Sequence, residues 1–405
     1  MTEAGIEPVA ADYLEERWHR ALLEELCVFG RGTASAGERA AAEWLVERLV
    51  SEGAGDARVE IERGHHTFWW PLGIAAAGGV VAGVRGMRGR SFGAAAFGAA
   101  AAWAAADELP PRRRRLRAAL PRSAATNVIA VLGPADAKRT VVLVAHHDAA
   151  HSGLVFSPAI PRVIQRVAPR FFEVTDTSPP LLWPAVIGPA LAAAGATVGR
   201  RGLARAGVLM SAGFVAAMAN IAASAVVPGA NDNGSGVVAL IALARALAAR
   251  PTASIRVMLL STSEEALCEG MRAFARRHFE ELPRSDTFFQ VIDTIGSPHL
   301  LVLRGEGTLG VTDYPAQSLA LLDGLAHDLG IWLFPNLRLR NATDGAYPLA
   351  AGYQCASLCS CTRLKQPANY HWSTDVPGNV DFGTVSDAIR LIEALVRRLD
   401  ERWID

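Results

Sequence analysis

Cysteine is scarce in this sequence. The chain has five cysteines in 405 residues, an odd and small number. Cys355, Cys359 and Cys361 share one parity in an apolar run, so we expect reduced core residues on one face of a strand. The short Cys359-Ser360-Cys361 spacing suits a tetrahedral zinc knot poorly.

An excess of charge of either sign is also lacking. Forty Lys and Arg residues balance forty Asp and Glu residues, so no global field points to a nucleic-acid partner. The first residues contain no basic region followed by an apolar run, and we expect no signal peptide. A chain of this length can bury a substantial core as one large domain or two ordinary ones.

Alternating strand and helix patterns predict an α/β fold. Continuous apolar runs predict buried strands at 140–145, 254–261 and 288–295. Two helices are predicted within 10–52, the second capped by Ser35 with Glu38 three positions on. Further helices are predicted at 234–250, 315–328 and 384–402. We therefore expect a mostly parallel sheet covered by helices on both faces.

Four stretches rich in Ala and Gly depart from this pattern because they carry no charge. They are 67–84, 91–106, 181–199 and 206–227. Arginines separate the members of each pair, so the sequence predicts two apolar helical hairpins that turn at arginines.

Two interpretations of these hairpins compete. Ala is only weakly favourable in lipid, and about 16 residues is short for a bilayer, so the hairpins could instead be buried in the protein or a dimer interface. Four tryptophans at the hairpin ends away from the arginines favour a membrane insert with an interfacial belt: Trp69, Trp70, Trp103 and Trp183. Small residues also suit close helix packing in lipid. We expect a multi-pass protein of the cell membrane that contacts lipid.

The orientation of this insert follows less directly from the sequence. Arginines at both hairpin tips argue that the tips are cytoplasmic, whereas Arg117 and the run 112–115 argue the reverse. Because we expect no signal peptide and expect the cysteines to be reduced, we expect the main domain on the cytoplasmic side.

Acidic residues and histidines stand mostly at the ends of the buried strands, where α/β folds place their sites. These residues are His146, Asp148, Asp232, Glu264, Glu265, Asp293 and His371. His146 and Asp148 are two positions apart and point the same way on an extended chain, which suits a metal-binding imidazole held by a carboxylate. Adjacent glutamates after a buried strand are costly unless a cation lies between them. Together they form the ligand set expected for hydrolytic zinc.

The order and local context of these residues resemble the co-catalytic di-zinc peptidases, which include bacterial leucyl aminopeptidases and glutaminyl cyclases. The motifs are His146-x-Asp148, the glycine-rich run 229–236 around Asp232, Glu264-Glu265, Asp293-x-Ile295-Gly296 and Tyr370-His371-Trp372-x-x-Asp375. The resemblance covers most of 120–400, more weakly 25–52, and excludes the hairpins. It implies a three-layer α/β/α zinc-exopeptidase fold with a mostly parallel central sheet, interrupted by the apolar helical hairpins.

The resemblance implies two Zn²⁺ ions and a role for each site residue. His146, Asp232 and Asp293 would bind one zinc, and Glu265, His371 and the bridging Asp232 would bind the other. The implied activity is that of a zinc metallopeptidase that acts as an aminopeptidase on a peptide substrate.

Two further carboxylates complete the implied site. Glu264 would be the general base, which takes a proton from water and passes it to the leaving amine. Asp148 would orient His146. Two zinc ions would lower the pKa of the attacking water and stabilise the tetrahedral intermediate.

The sequence also departs from the family pattern. The second hairpin lies between His146 and Asp232, where the family usually leaves a short stretch. Thr343-Asp344-Gly345 resembles a later Ser-Asp-His element, but Gly345 replaces the histidine. The expected domain order is peptidase domain 1–66, hairpin 67–106, peptidase domain 107–180, hairpin 181–227 and peptidase domain 228–405.

Two other functions remain open from the sequence. One is a glutaminyl-cyclase-type acyltransferase on the same frame, although the run around Asp232 looks more like the peptidases. The other is a membrane scaffold with a degenerate peptidase domain, against which the complete ligand set counts.

Overall fold

A seven-stranded sheet forms the centre of the computed structural model, which describes residues 11–168 and 170–404. Its strands are β1 (Arg58–Gly64), β2 (Ser123–Leu132), β3 (Arg139–His146), β4 (Ile255–Thr262), β5 (Thr287–Asp293), β6 (His299–Val302) and β10 (Gln354–Cys361). A small second sheet contains β7 (Gly305–Glu306), β8 (Thr312–Asp313) and β9 (Arg338–Leu339). The three predicted buried strands correspond to β3, β4 and β5.

The large sheet is mixed, with strand order β1-β2-β4-β3-β5-β10-β6. Its four central strands, β4, β3, β5 and β10, are parallel to one another. The edge strands β1, β2 and β6 add antiparallel pairs. The predicted parallel sheet therefore describes the centre, where helical crossovers connect the strands. β2 and β6, on its two sides, run the other way, and the edge strand β1 again runs in the direction of the centre.

Helices cover both faces of this sheet. Those outside the two apolar regions are α1 (Glu16–Leu26), α2 (Ala36–Ser51), α5 (Ala159–Val167), α6 (Arg170–Val174), α9 (Ser235–Ala249), α10 (Glu269–His278), α11 (Ala316–Asp328), α12 (Ala346–Ala351) and α13 (Phe382–Glu401). One apolar core unites α1, α2, α9, α11 and α13 with one face. A second core unites α10 and α12 with the other, and it contains Cys355, Cys359 and Cys361 on one side of β10. These three layers are the predicted α/β/α fold.

The four uncharged stretches form four helices that pack together. They are α3 (Trp69–Gly86), α4 (Phe92–Asp107), α7 (Pro184–Val198) and α8 (Arg201–Ala223). Much of their buried surface consists of small residues, and a Cβ added to Gly188 would lie 2.5 Å from Oγ of Ser211. Several larger apolar side chains point outwards, including Ile74, Phe97 and Leu209, whereas those nearest the main domain, such as Leu72 and Met218, are buried.

This arrangement reverses the usual distribution of a water-soluble bundle, which buries its large apolar side chains. By length and composition, two of the described helices could cross a membrane. One is α8, of whose most apolar stretch 28% is buried. The other, 230–249, is 83% buried and contains the core helix α9. The membrane insert stays a prediction.

Candidate metal centre

The predicted site residues come together at the carboxyl ends of the central parallel strands, where α/β sheets place their sites. His146 ends β3, Asp293 ends β5, and Glu264 and Glu265 follow β4 directly. Asp232 lies in the turn before α9, and its peptide bond to Asn233 is cis. His371 lies in the loop after β10, with φ of +50°.

Asp232 lies between the two histidines, and each of its carboxylate oxygens faces a different imidazole. Oδ1 lies 3.3 Å from Nε2 of His146, and Oδ2 lies 3.2 Å from Nε2 of His371. Asp293 approaches Nε2 of His146 to 3.7 Å. Glu265 approaches Nε2 of His371 to 3.3 Å. The five residues therefore form two ligand groups that share Asp232.

These separations fit zinc. Ligand atoms about 2.0–2.1 Å from a tetrahedral ion lie about 3.3–3.4 Å from one another, close to the distances around Asp232. Ligand atoms of His146, Asp232 and Glu265 all lie within 4.8 Å of one another. Among the described residues, nothing donates a hydrogen bond to Oδ2 of Asp232 or Oε1 of Glu265, although both atoms are buried. Buried carboxylate oxygens of this kind need a cation.

The histidines show how strongly the site attracts positive charge. Burial alone would lower the pKa of His146, but hydrogen bonds to Asp148, Asp232 and Asp293 raise it well above 6.5. For His371, burial is outweighed by Glu265 and Asp232, and the pKa rises to about 10. Carboxylates that stabilise two imidazolium ions would also stabilise divalent metal.

Asp148 holds three parts of the site in place. Its carboxylate accepts hydrogen bonds from the backbone N–H groups of Glu264, at 2.8 Å, and Glu265, at 3.0 Å. Thr33 donates to it at 2.6 Å, and Nδ1 of His146 lies 3.3 Å away. Burial would raise the pKa of Asp148, but the bonds from His146 and its other donors lower it. Asp148 thus positions both glutamates as well as the imidazole.

Glu264 differs from its neighbour Glu265 in its contacts. None of the described histidines forms an ion pair with it, and it accepts a hydrogen bond from Sγ of Cys268 at 3.1 Å. Burial, with the nearby negative charge of Glu265, raises its pKa well above 4.5. A buried carboxylate that has a high proton affinity and lies beside the ligands can accept and release protons.

A second aspartate, whose role the sequence did not reveal, holds the turn that carries Asp232. Asp375 accepts hydrogen bonds from the backbone N–H groups of Asn231, at 2.8 Å, and Asp232, at 3.1 Å. Arg31, also missed, is fully buried and donates to the carbonyl oxygens of Pro228, Gly229 and His147. Its only sequence signal is its place in the weakly similar segment 25–52.

The Thr343-Asp344-Gly345 element lies next to the site. Asp344 is buried and accepts a hydrogen bond from Thr262, and burial raises its pKa to about 7. A Cβ at Gly345 would collide with the hydroxyl of Tyr314 and lie 2.6 Å from Oε1 of Glu306. These two residues therefore fill the space that a side chain at position 345 would need.

A cavity of about 420 Å³ opens onto the ligands. His146, Asp232, Glu264, Glu265, Asp293 and His371 all contribute to its wall. Phe156, from the segment before the second hairpin, packs edge-on against His371 with ring centroids 4.5 Å apart. The segment that leads into the second hairpin thus contacts the site directly.

Comparisons with known proteins agree with this geometry. Residues 211–396 match the model of peptidase family M28. That segment contains all the predicted site residues except His146 and Asp148. No curated protein matches the chain in sequence.

Solved structures share the fold at low sequence identity. A Zn-dependent exopeptidase from Parabacteroides distasonis is 14% identical, with a TM-score of 0.53 over 95% of this chain and 98% of that one. A leucine aminopeptidase precursor from Bacteroides thetaiotaomicron is 12% identical, with a TM-score of 0.53 over 98% and 99%. An Acidobacteriales bacterium glutaminyl cyclase is 12% identical, with a TM-score of 0.56 over 99% and 100%. The resemblance found in the sequence is confirmed, and the family match supports a zinc-dependent, peptidase-like function.

Proposed function

Because residues 211–396 match peptidase family M28, we propose that this protein is a membrane-bound aminopeptidase that hydrolyses peptide bonds at a centre of two zinc ions. The observation that carries the proposal is the placement of Asp232 between the two imidazoles, with one oxygen facing each. A single ion would need only one of these oxygens, whereas a bridging carboxylate uses both.

The ligand groups divide around Asp232. His146 and Asp293 would hold one zinc ion, and Glu265 and His371 would hold the other. When bound, the ions would polarise the scissile carbonyl and lower the pKa of the attacking water. Asp148 keeps the Nδ1 side of His146 occupied, so that Nε2 faces the ligand group.

Glu264 is the proton carrier in this proposal. Its backbone is held by Asp148, and its carboxyl group lies in the wall of the cavity beside the ligands. It takes the proton of the attacking water and delivers it to the nitrogen of the leaving amine. The amine then leaves as a neutral group.

The apolar bundle is proposed to lie in a lipid bilayer. Its interior of small residues and its outward-facing large apolar side chains match membrane helix packing. The short helix α5 fits the membrane surface, because Ile160 and Val163 are exposed beside the exposed Arg162 and Arg166. At about 1.5 Å per residue, α7 and α4 reach about 22–24 Å, so the tip arginines must extend to the far interface.

The catalytic domain is proposed to lie on the cytoplasmic side. All five cysteines are free, which suits a reducing compartment. Arg114 and Arg117, on the side of the main domain, are buried and paired with Glu269. They therefore serve the fold of that domain and do not argue about its side of the membrane. Single cysteines introduced at the hairpin tips and on α5, and labelled from outside in intact cells, test this orientation.

The experiment that tests the function combines metal analysis with activity. Purified protein should contain about two zinc ions per chain and hydrolyse aminoacyl amides. Asp232→Ala should lose zinc from both groups, whereas His371→Ala should lose chiefly one ion. A parent protein that binds zinc but cleaves no amide would favour the degenerate scaffold, and normal metal content in Asp232→Ala would refute the bridge.

A cyclase remains the second candidate, because glutaminyl cyclases are among the structures that share the fold. In that reaction the amino terminus of a glutaminyl peptide would attack the side-chain amide carbonyl of the same residue, polarised at the same centre. Mass analysis after incubation with such a peptide separates the reactions, since hydrolysis adds water and cyclisation releases ammonia. We expect hydrolysis.

A further inference from the structure

The cavity at the ligands extends along a helix of the inserted bundle. Residues of α8 that recur every three or four positions, from Leu209 to Ile221, form one of its walls. At about 1.5 Å per residue, these twelve steps span about 18 Å. The catalytic side chains line the same cavity, so it extends from them along α8.

The part of the wall that α8 forms offers almost nothing to a polar group, whereas the polar lining residues outside the ligands, such as Ser178, Asn341 and Lys365, come from other segments. The α8 residues in it are apolar, and Leu181, Leu182, Leu337 and Leu339 are among the residues that complete it. An extended peptide there would bury N–H and C=O groups without partners, at about 1–3 kcal/mol each. A hydrocarbon chain has no such groups and gains from burial.

The far end of the cavity opens on the flank of the bundle. Leu209 is 63% exposed, Leu181 40% and Met210 37%, and all three line the cavity. The contact between Gly188 and Ser211 places this part of α8 level with the first turns of α7. The opening therefore lies beside the apolar helix surfaces that the proposed function places in lipid.

We propose that the substrate is an amide that carries a long hydrocarbon chain, that the chain lies along α8, and that it enters from the bilayer through the opening at Leu209. This inference rests on the proposed function for the scissile bond and for the membrane. In the reaction, the carbonyl carbon gains the hydroxyl of water as the C–N bond breaks. The nitrogen gains the proton, which gives a carboxylic acid and an amine.

Two glycines of α8 provide a matched test. A Cβ at Gly213, which lines the cavity, would meet nothing within 4 Å, so a side chain can begin there without a clash, and we expect Gly213→Phe to narrow the cavity. Gly202 has the same free space but lies near the tip, outside the cavity wall, so Gly202→Phe is the control. Zinc-loaded full-length proteins are compared in vesicles of phosphatidylcholine and phosphatidylglycerol.

The probes are aminoacyl arylamides with linear alkyl side chains of about two and about ten carbons, and N-alkyl aminoacyl amides of the same two lengths. In at least one series, the parent and Gly202→Phe should prefer the long chain by about tenfold or more in kcat/KM. Gly213→Phe should lose most of that preference. Equal kcat/KM for long and short chains in both series would overturn the inference while leaving the peptidase intact.

A binding measurement keeps the two proposals apart. Quenching of tryptophan fluorescence by a brominated long-chain fatty amide, added to zinc-free protein so that no hydrolysis occurs, reports binding near Trp183, whose neighbours Leu182 and Pro184 line the cavity. Saturable quenching in the parent, with an affinity at least fivefold weaker in Gly213→Phe, supports the cavity assignment. If this is seen but no amide is cleaved, the proposed function alone fails. Equal quenching in parent and Gly213→Phe overturns the inference.

Discussion

Replacing Asp148 by Asn tests whether one buried carboxylate holds the catalytic glutamates. Asp148 accepts hydrogen bonds from the backbone N–H groups of Glu264, at 2.8 Å, and Glu265, at 3.0 Å, and from the hydroxyl of Thr33 at 2.6 Å. An Asn side chain has one acceptor oxygen, and its NH₂ group would face one of these donors. At least one charge-assisted bond is therefore lost and another becomes neutral.

The magnitude follows from these contacts. A hydrogen bond to a charged group contributes about 1.5–3 kcal/mol, and a buried donor without a partner costs about 1–3 kcal/mol. We expect Asp148→Asn to lower the free energy of unfolding of the zinc-free protein by about 3–6 kcal/mol. A displacement of Glu264 by about 1 Å would also lower kcat by about 10²-fold.

Asp375→Asn is the matched control, because Asp375 also accepts from two consecutive backbone N–H groups. Burial raises the pKa of Asp375 to about 7, whereas the pKa of Asp148 is lowered. Near neutral pH, Asp375 is thus already partly uncharged, and its replacement should cost only about 1–3 kcal/mol. Denaturant unfolding, zinc content and kcat are measured for both. A loss in Asp148→Asn no larger than that in Asp375→Asn would refute the reasoning.

Three further predictions concern the glutamates, the histidines and a carboxyl group beside the site. Glu264→Gln should keep its zinc and lose about two to four decades of kcat, whereas Glu265→Gln should lose metal as well; equal metal loss would contradict the distinction. The pKa values of His146 and His371 are raised, the latter to about 10, so both imidazoles carry a proton at about pH 7.5 that zinc must displace. Zinc binding should therefore release about two protons per chain, measured by calorimetry in buffers of different ionisation enthalpy. Release of less than one proton would count against both ligands. Burial raises the pKa of Glu306 to about 7, so between about pH 4.5 and pH 7 the folded chain keeps a proton that the unfolded chain has lost. The contribution of Glu306 to the free energy of unfolding should therefore fall by on the order of 3 kcal/mol over this range. Glu306→Gln should flatten the pH dependence of thermal unfolding, and an unchanged dependence would contradict the assignment.

Local sequence patterns predicted much of the fold because they depend on neighbouring residues. Ser35 caps α2 by accepting the N–H of Glu38 at 3.1 Å, as expected. The carboxylate of Glu38, however, bonds to Ala34 and to the distant Thr126 instead of the N–H of Ser35. The N-cap of α2 was thus predictable from the sequence, but the capping box does not close because Glu38 bonds to other N–H groups.

The parts of the site that the sequence did not reveal depend on contacts between distant segments. Asp375 was recognisable as part of a motif but not in its role, and Arg31 resembles an ordinary surface residue in sequence. Both are buried against the turn that carries Asp232. The contribution of α8 to the cavity likewise requires the second hairpin to fold back over the ligands. No local periodicity encodes such a contact.

The most direct measurement of the central claim is anomalous diffraction at the zinc edge from crystals of the zinc-loaded protein. The account predicts two anomalous peaks on either side of Asp232, one beside His146 and Asp293 and the other beside Glu265 and His371. A single peak, or two peaks that do not share Asp232 as a ligand, would contradict it.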